Sequence, residues 1–206
     1  MPRQIGVAAA ATTVALALAT RTRRVQRWDD AIERRAARTR SRVQLVARLA
    51  TLPGARFGHP AIGTVVALWI LDARGGPARR ILVPLAAASI GAIAAHYGVK
   101  LFYRRPRPRV ALRRGKREPA FPSGHTADAT AVLATSAYLL LREDVAPPLV
   151  VVPTTALLAV GTGWSRVALG WHWASDVAGG WLAGIGVAAG CAASYEWLQS
   201  DRRGNV

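Results

Sequence analysis

Cysteine is almost missing from this chain of 206 residues: Cys191 stands alone. An intrachain disulfide framework and a multi-cysteine zinc site are therefore excluded. Lying in a Gly/Ala-rich apolar run, Cys191 reads as an inert packing residue. Acidic residues are also scarce, 11 against 28 basic ones, for a net charge of +17. Such an excess usually points to nucleic acid or to an anionic membrane surface. Its distribution decides between them, because long stretches carry no charge at all. Arg and Lys crowd into residues 21–48 and 100–117, and the chain is 51% hydrophobic. Alternating blocks of charge and apolar residues exclude a soluble basic domain and fit membrane spans joined by basic loops.

Six apolar segments carry the reading: Ile5–Thr20, Phe57–Leu71, Ile81–Phe102, His125–Leu141, Pro148–Trp164 and Trp173–Leu198. A spanning helix needs about 20 predominantly apolar residues. The third and last reach that length, and the others approach it with their flanks. The expected fold is thus all-α, a polytopic bundle of about six transmembrane helices forming a single domain over residues 1–206. Arg3, the apolar stretch after it and Ala17-Leu18-Ala19 would also suit a signal peptide, but a first span kept as an anchor is the simpler expectation. Between spans one and two, Trp28, Ile32, Val43, Leu45, Val46, Leu49 and Leu52 recur at roughly helical spacing among ten arginines. That pattern predicts an amphipathic helix lying in the membrane interface. Gly75-Gly76-Pro77 and Pro147-Pro148 mark turns between spans.

Ionisable residues at span ends are the informative ones, since such groups are costly in a bilayer and usually functional. Lys100 and Arg107 close span three, and Ser123 and His125 open span four. Ser165 and Arg166 close span five, and His172 and Asp176 open span six. Chain parity alone puts all of them on one membrane face. Three cations and the amides of a helix start suit a phosphoryl group. In Pro122-Ser123-Gly124-His125, Ser123 and Gly124 sit where free N–H groups are expected to point outward, and glycine permits close approach. His172 and Asp176, four apart, share a helix face. The carboxylate can then hold one imidazole nitrogen and leave the other as a nucleophile. His125 is free to act as a general acid. Asp128, three residues on, is a possible accessory that could contact the His125 imidazole. His59 and His96 lie toward the same face and read as packing or substrate contacts. Trp164, Trp171 and Trp173 fit an interfacial aromatic belt.

Lys100-x6-Arg107-Pro108, Pro122-Ser123-Gly124-His125 and Ser165-Arg166-x5-His172-x3-Asp176 together resemble the three-part signature of the type 2 phosphatidic acid phosphatase superfamily. The resemblance implies a phosphatase that needs no metal and no cofactor and works through a phosphohistidine. It implies His172 as nucleophile, Asp176 as its orienting group and His125 as the acid for the leaving oxygen. Lys100, Arg107, Arg166, Ser123 and the Gly124 amide would hold the phosphoryl oxygens. The expected partners are a lipid phosphate substrate and membrane lipids, with no nucleic acid; oligomeric state stays open.

Two other readings are weaker. A vanadate-dependent haloperoxidase has a similar oxyanion site, but those enzymes are soluble and much longer. A non-catalytic membrane protein binding nucleic acid or anionic lipid gives no reason for the spacing of His172 and Asp176. The substrate remains open among a polyprenyl diphosphate, a polyprenyl-linked sugar phosphate such as decaprenylphosphoryl phosphoribose phosphate, phosphatidylglycerol phosphate and phosphatidic acid. A polyprenyl lipid of the bacterial cell envelope is favoured. Eleven arginines between Arg21 and Arg56, nine cations between Lys100 and Arg117, and Arg166 fall on the catalytic face. Only seven cations fall opposite, so the positive-inside tendency puts the site in the cytoplasm. Attraction of an acidic lipid substrate is a competing cause of the same bias.

Overall fold

The computed structural model describes residues 2–200, and among these every regular element is a helix. Each apolar segment becomes one: α1 (Pro2–Ala19), α3 (Gly58–Arg74), α4 (Arg79–Phe102), α6 (Gly124–Arg142), α7 (Pro148–Ala168) and α8 (Ala174–Ser200). The arginine-rich segment forms α2 (Arg23–Ala50), followed by a 3-10 turn at Leu52–Gly54, and a short α5 (Arg109–Arg113) lies in the loop after α4. Turn chemistry sets the breaks. Gly75, with φ of 65°, caps α3 in a conformation that side chains with a Cβ resist. Pro147 and Pro148 start α7, where a missing N–H costs nothing.

The six expected spans differ in apolarity. Among the described residues, α4, α7 and α8 are long and apolar enough to cross a membrane on their own. Helix α3 has only 17 residues. Helix α6 is interrupted by Thr126, Asp128, Thr130, Thr135 and Ser136, all buried. It sits at the centre, packed by α3, α4, α7 and α8. Its polar side chains therefore face protein rather than lipid, the arrangement a bilayer tolerates. These apolar helices make the chain an integral membrane protein.

Helices α1 and α2 meet at an 87° bend, so α2 runs across the end of the bundle rather than through it. Trp28, Leu45, Val46 and Leu49 remain exposed along it, the apolar face expected of an interfacial helix. Helix α8 packs closely on α6 because Gly180 and Gly184 leave room. A Cβ on Gly184 would stand 2.6 Å from Thr130 Cβ, and one on Gly180 would stand 2.8 Å from the Ser123 carbonyl oxygen. This is the small-xxx-small contact that lets helices approach in membranes. The apolar core of Ile70, Leu85, Leu139 and Tyr195 lies at the far end of the bundle. The near end is left to polar groups.

Candidate active site

The C-terminal ends of α4 and α7 meet the N-terminal ends of α6 and α8 at one end of the bundle. A cavity of about 450 Å³ opens there, lined by Lys100, Arg107, Gly124, His125, Arg166 and His172. Six of the residues singled out by spacing thus share one pocket. Asp176 lies directly behind His172 and is fully buried.

His172 is almost completely buried. Arg107 Nη1 donates to its Nε2 at 3.0 Å and to the Trp171 carbonyl at 3.0 Å, while Arg107 Nε donates to the Glu118 carbonyl at 2.8 Å. A guanidinium has no acceptor, so Nε2 presents its lone pair and the ring proton belongs on Nδ1. Nδ1 faces Asp176 Oδ2 at 3.5 Å. Burial holds the His172 imidazole well below its usual range, and the charges of Arg107, Arg166 and Lys100 push it the same way. The side chain is therefore a neutral base at neutral pH.

Asp176 is fixed from two sides. The Trp173 amide donates to Oδ2 at 2.9 Å, and Arg105 Nη1 donates to Oδ1 at 2.6 Å. The other Arg105 nitrogen, Nη2, reaches Asp29 Oδ2 at 2.6 Å, and Asp29 in turn accepts from the Ser175 amide at 3.0 Å. A buried guanidinium between two buried carboxylates ties α2 to the start of α8. Sequence spacing gave no sign of this. Arg105 is one of several arginines in its loop, and Asp29 sits in a helix legible only as arginine-rich and amphipathic.

Arg166 Nη1 donates to Thr51 Oγ1 at 2.8 Å, and its guanidinium lies 5.9 Å from the Trp171 ring centroid. Its buried Nε has no hydrogen-bond partner among the described residues. Trp171 lines the cavity, and Trp173 donates its indole N–H to the Pro106 carbonyl at 2.9 Å. Trp171 is thus part of the site wall, whereas Trp173 braces the loop after α4.

Two expectations need correction. Ser123 does not present a free amide, because its N–H donates to the Asp176 carbonyl at 3.0 Å and its hydroxyl accepts from Thr126 at 2.9 Å. It is fully buried and knits the α6 start to α8, leaving Gly124 as the first backbone at the pocket wall. Asp128 does not reach His125. It turns along α6 to His96, whose Nε2 lies 3.4 Å from Asp128 Oδ1.

With this geometry in hand, the comparisons are specific. The PAP2 superfamily pattern matches residues 81–200, which include every motif residue named above. The chain belongs to the PAP2 superfamily. No curated protein matches it. Its fold is similar to that of a solved protein described as the first transmembrane PAP2 type phosphatidylglycerolphosphate phosphatase from Bacillus subtilis. The TM-score is 0.76 at 24% identity, over 93% of this chain and 96% of that one. Membership in the PAP2 superfamily supports phosphatase activity, here in a membrane protein.

Proposed function

We propose that this PAP2 protein is a lipid phosphatase that hydrolyses a phosphate ester at the membrane surface through a phosphohistidine on His172. The observation that carries the reading is His172 in the wall of one pocket with Lys100, Arg107 and Arg166, its Nε2 unprotonated and accepting from Arg107. Nε2 attacks phosphorus while the bond from phosphorus to the lipid oxygen breaks, and His125 gives a proton to that oxygen. Water then attacks the phosphoenzyme, His125 takes a proton from it, and the phosphorus–nitrogen bond breaks to release inorganic phosphate. The three cations and the Gly124 amide hold the non-bridging oxygens, where charge stabilisation and positioning lower most of the barrier. Asp176 keeps the His172 proton on Nδ1. Mechanistically no metal ion is required, so EDTA leaves the rate unchanged.

The substrate class is a lipid phosphate of the bacterial inner membrane, either a polyprenyl lipid of envelope assembly or a phosphoglycerol lipid. The charge bias supports a catalytic face turned toward the cytoplasm. Phosphate release by the purified protein from a panel of lipid phosphates tests the activity. Wild type releases phosphate from at least one of them, and folded His172→Ala loses at least about 10³-fold in kcat, as removal of a nucleophile should. Retention of wild-type turnover by His172→Ala would overturn the mechanism.

A further inference from the structure

We propose that the cavity has a second polar end, formed by Asp128, His96 and His59, which binds a free hydroxyl on the alcohol leaving group. The enzyme would then select phosphomonoesters of polyhydroxylated headgroups. The inference rests on the phosphatase reading above and names the substrate class of that same site.

All three side chains line the cavity that also holds His125 and His172. They are 8%, 5% and 3% exposed, in that order. Among the described residues, Asp128 Oδ1 and His96 Nδ1 have no hydrogen-bond partner. Asp128 Oδ1 lies 3.4 Å from His96 Nε2, a long ion-pair contact rather than a hydrogen bond. His59 Nδ1 has only a long contact of 3.4 Å to Ser89 Oγ. Buried polar atoms are ordinarily paired, and leaving them unpaired is costly. Two such atoms, on residues that line one cavity, mark a place where a ligand can complete the hydrogen bonding.

Their position fits the leaving group. The His96 ring packs against Gly124 so closely that a Cβ there would lie 3.0 Å from His96 Cε1. Asp128 is four residues beyond Gly124, one turn deeper along the same face of α6. His172 reaches the pocket from the α7–α8 loop instead. In-line displacement puts the departing oxygen opposite Nε2 of His172, on the side of His125. The first carbons of the alcohol then run past His96 to Asp128. A hydroxyl there can donate to the carboxylate and accept from an imidazole N–H. A purely hydrocarbon or acylated leaving group would strand both. Glycerol phosphate and sugar phosphate headgroups share the required hydroxyl, whereas phosphatidic acid and prenyl diphosphates lack it.

The test uses the full-length protein in mixed micelles. It compares kcat/KM for short-chain phosphatidylglycerol phosphate, its analogue lacking the free headgroup hydroxyl, and a prenylphosphoryl ribose phosphate. Wild type prefers the hydroxylated glycerol or ribose substrate over the deoxy analogue by at least about 10²-fold, because a site built to bind a hydroxyl leaves buried polar groups unpaired with the analogue that lacks it. Whichever of the two is faster identifies the headgroup. Asp128→Leu collapses the ratio toward one, and Asp128→Asn, which keeps an acceptor and nearly the same shape, retains part of it. His96→Phe collapses it independently should the Leu variant fail to fold. Equal wild-type rates on hydroxylated and deoxy substrates overturn the inference but leave the phosphatase standing. So does a ratio that survives both collapsing substitutions. If no lipid phosphate is hydrolysed, the underlying reading itself fails.

Discussion

At His172, one neighbour fixes the chemistry. Arg107 can only donate, so at 3.0 Å it obliges Nε2 to accept and leaves the ring proton facing Asp176. Burial and three nearby cations both penalise the imidazolium, and both therefore lower the pKa. Nitrogen-15 histidine spectra should show the His172 ring still neutral as the pH falls through 6.5, with protonation only well below it. Arg107→Leu removes one of the opposing charges, so its titration moves upward. A wild-type ring half-protonated at or above pH 6.5 would contradict this assignment. The Asp29–Arg105–Asp176 chain acts on the same residue from behind. Removing Arg105 alone would leave two buried carboxylates without their counter-charge, a loss of about 3–5 kcal/mol in comparable buried pairs.

Among the elements, the α6–α8 contact holds the site together, since α6 supplies His125 and α8 supplies Asp176. Gly184 has no space for a side chain against Thr130. Gly184→Leu should lower stability by at least about 1–3 kcal/mol, the usual cost of overpacking, read as an earlier unfolding midpoint in detergent. An unchanged midpoint would mean that the two helices are not packed as described. This level was largely legible beforehand. Hydropathy located the six apolar helices, because apolar length is a property of each segment alone. The four-residue spacing did bring His172 beside Asp176, although not along one helix face as expected, because His172 sits in the turn before α8 and only Asp176 is on it. His125 comes from α6, at the end that chain parity shares with them. The partners of Asp128 and the roles of Asp29 and Arg105 were not legible. Each depends on which side of one helix meets another, and no single segment encodes that. Ser123 misled for the same reason, since its amide is claimed by a carbonyl 53 positions away in the chain.

For the molecule as a whole, the charge bias supports the proposed cytoplasmic orientation of the catalytic face. The catalytic face carries the arginines of α2 and the Lys100–Arg117 segment, whereas Arg74, Arg79, Arg80 and Arg142 lie at the other end of the bundle. Arg3 belongs to the opposite-face count as well, and Arg202 and Arg203, also counted there, lie outside the described residues. A cysteine placed at Arg113, in a Cys191→Ser background, should resist an impermeant maleimide in intact cells and react after permeabilisation. Labelling in intact cells would place the catalytic face outside.

The proposed mechanism turns on one covalent event, formation of a phosphorus–nitrogen bond at His172. Rapid quenching of the purified protein with a lipid substrate labelled in the scissile phosphate tests it most directly. The label should be trapped on the protein as an acid-labile, alkali-stable adduct that maps to His172 and is missing from His172→Ala. Full turnover with no trapped adduct in wild type, or an adduct mapping to another residue, would contradict it.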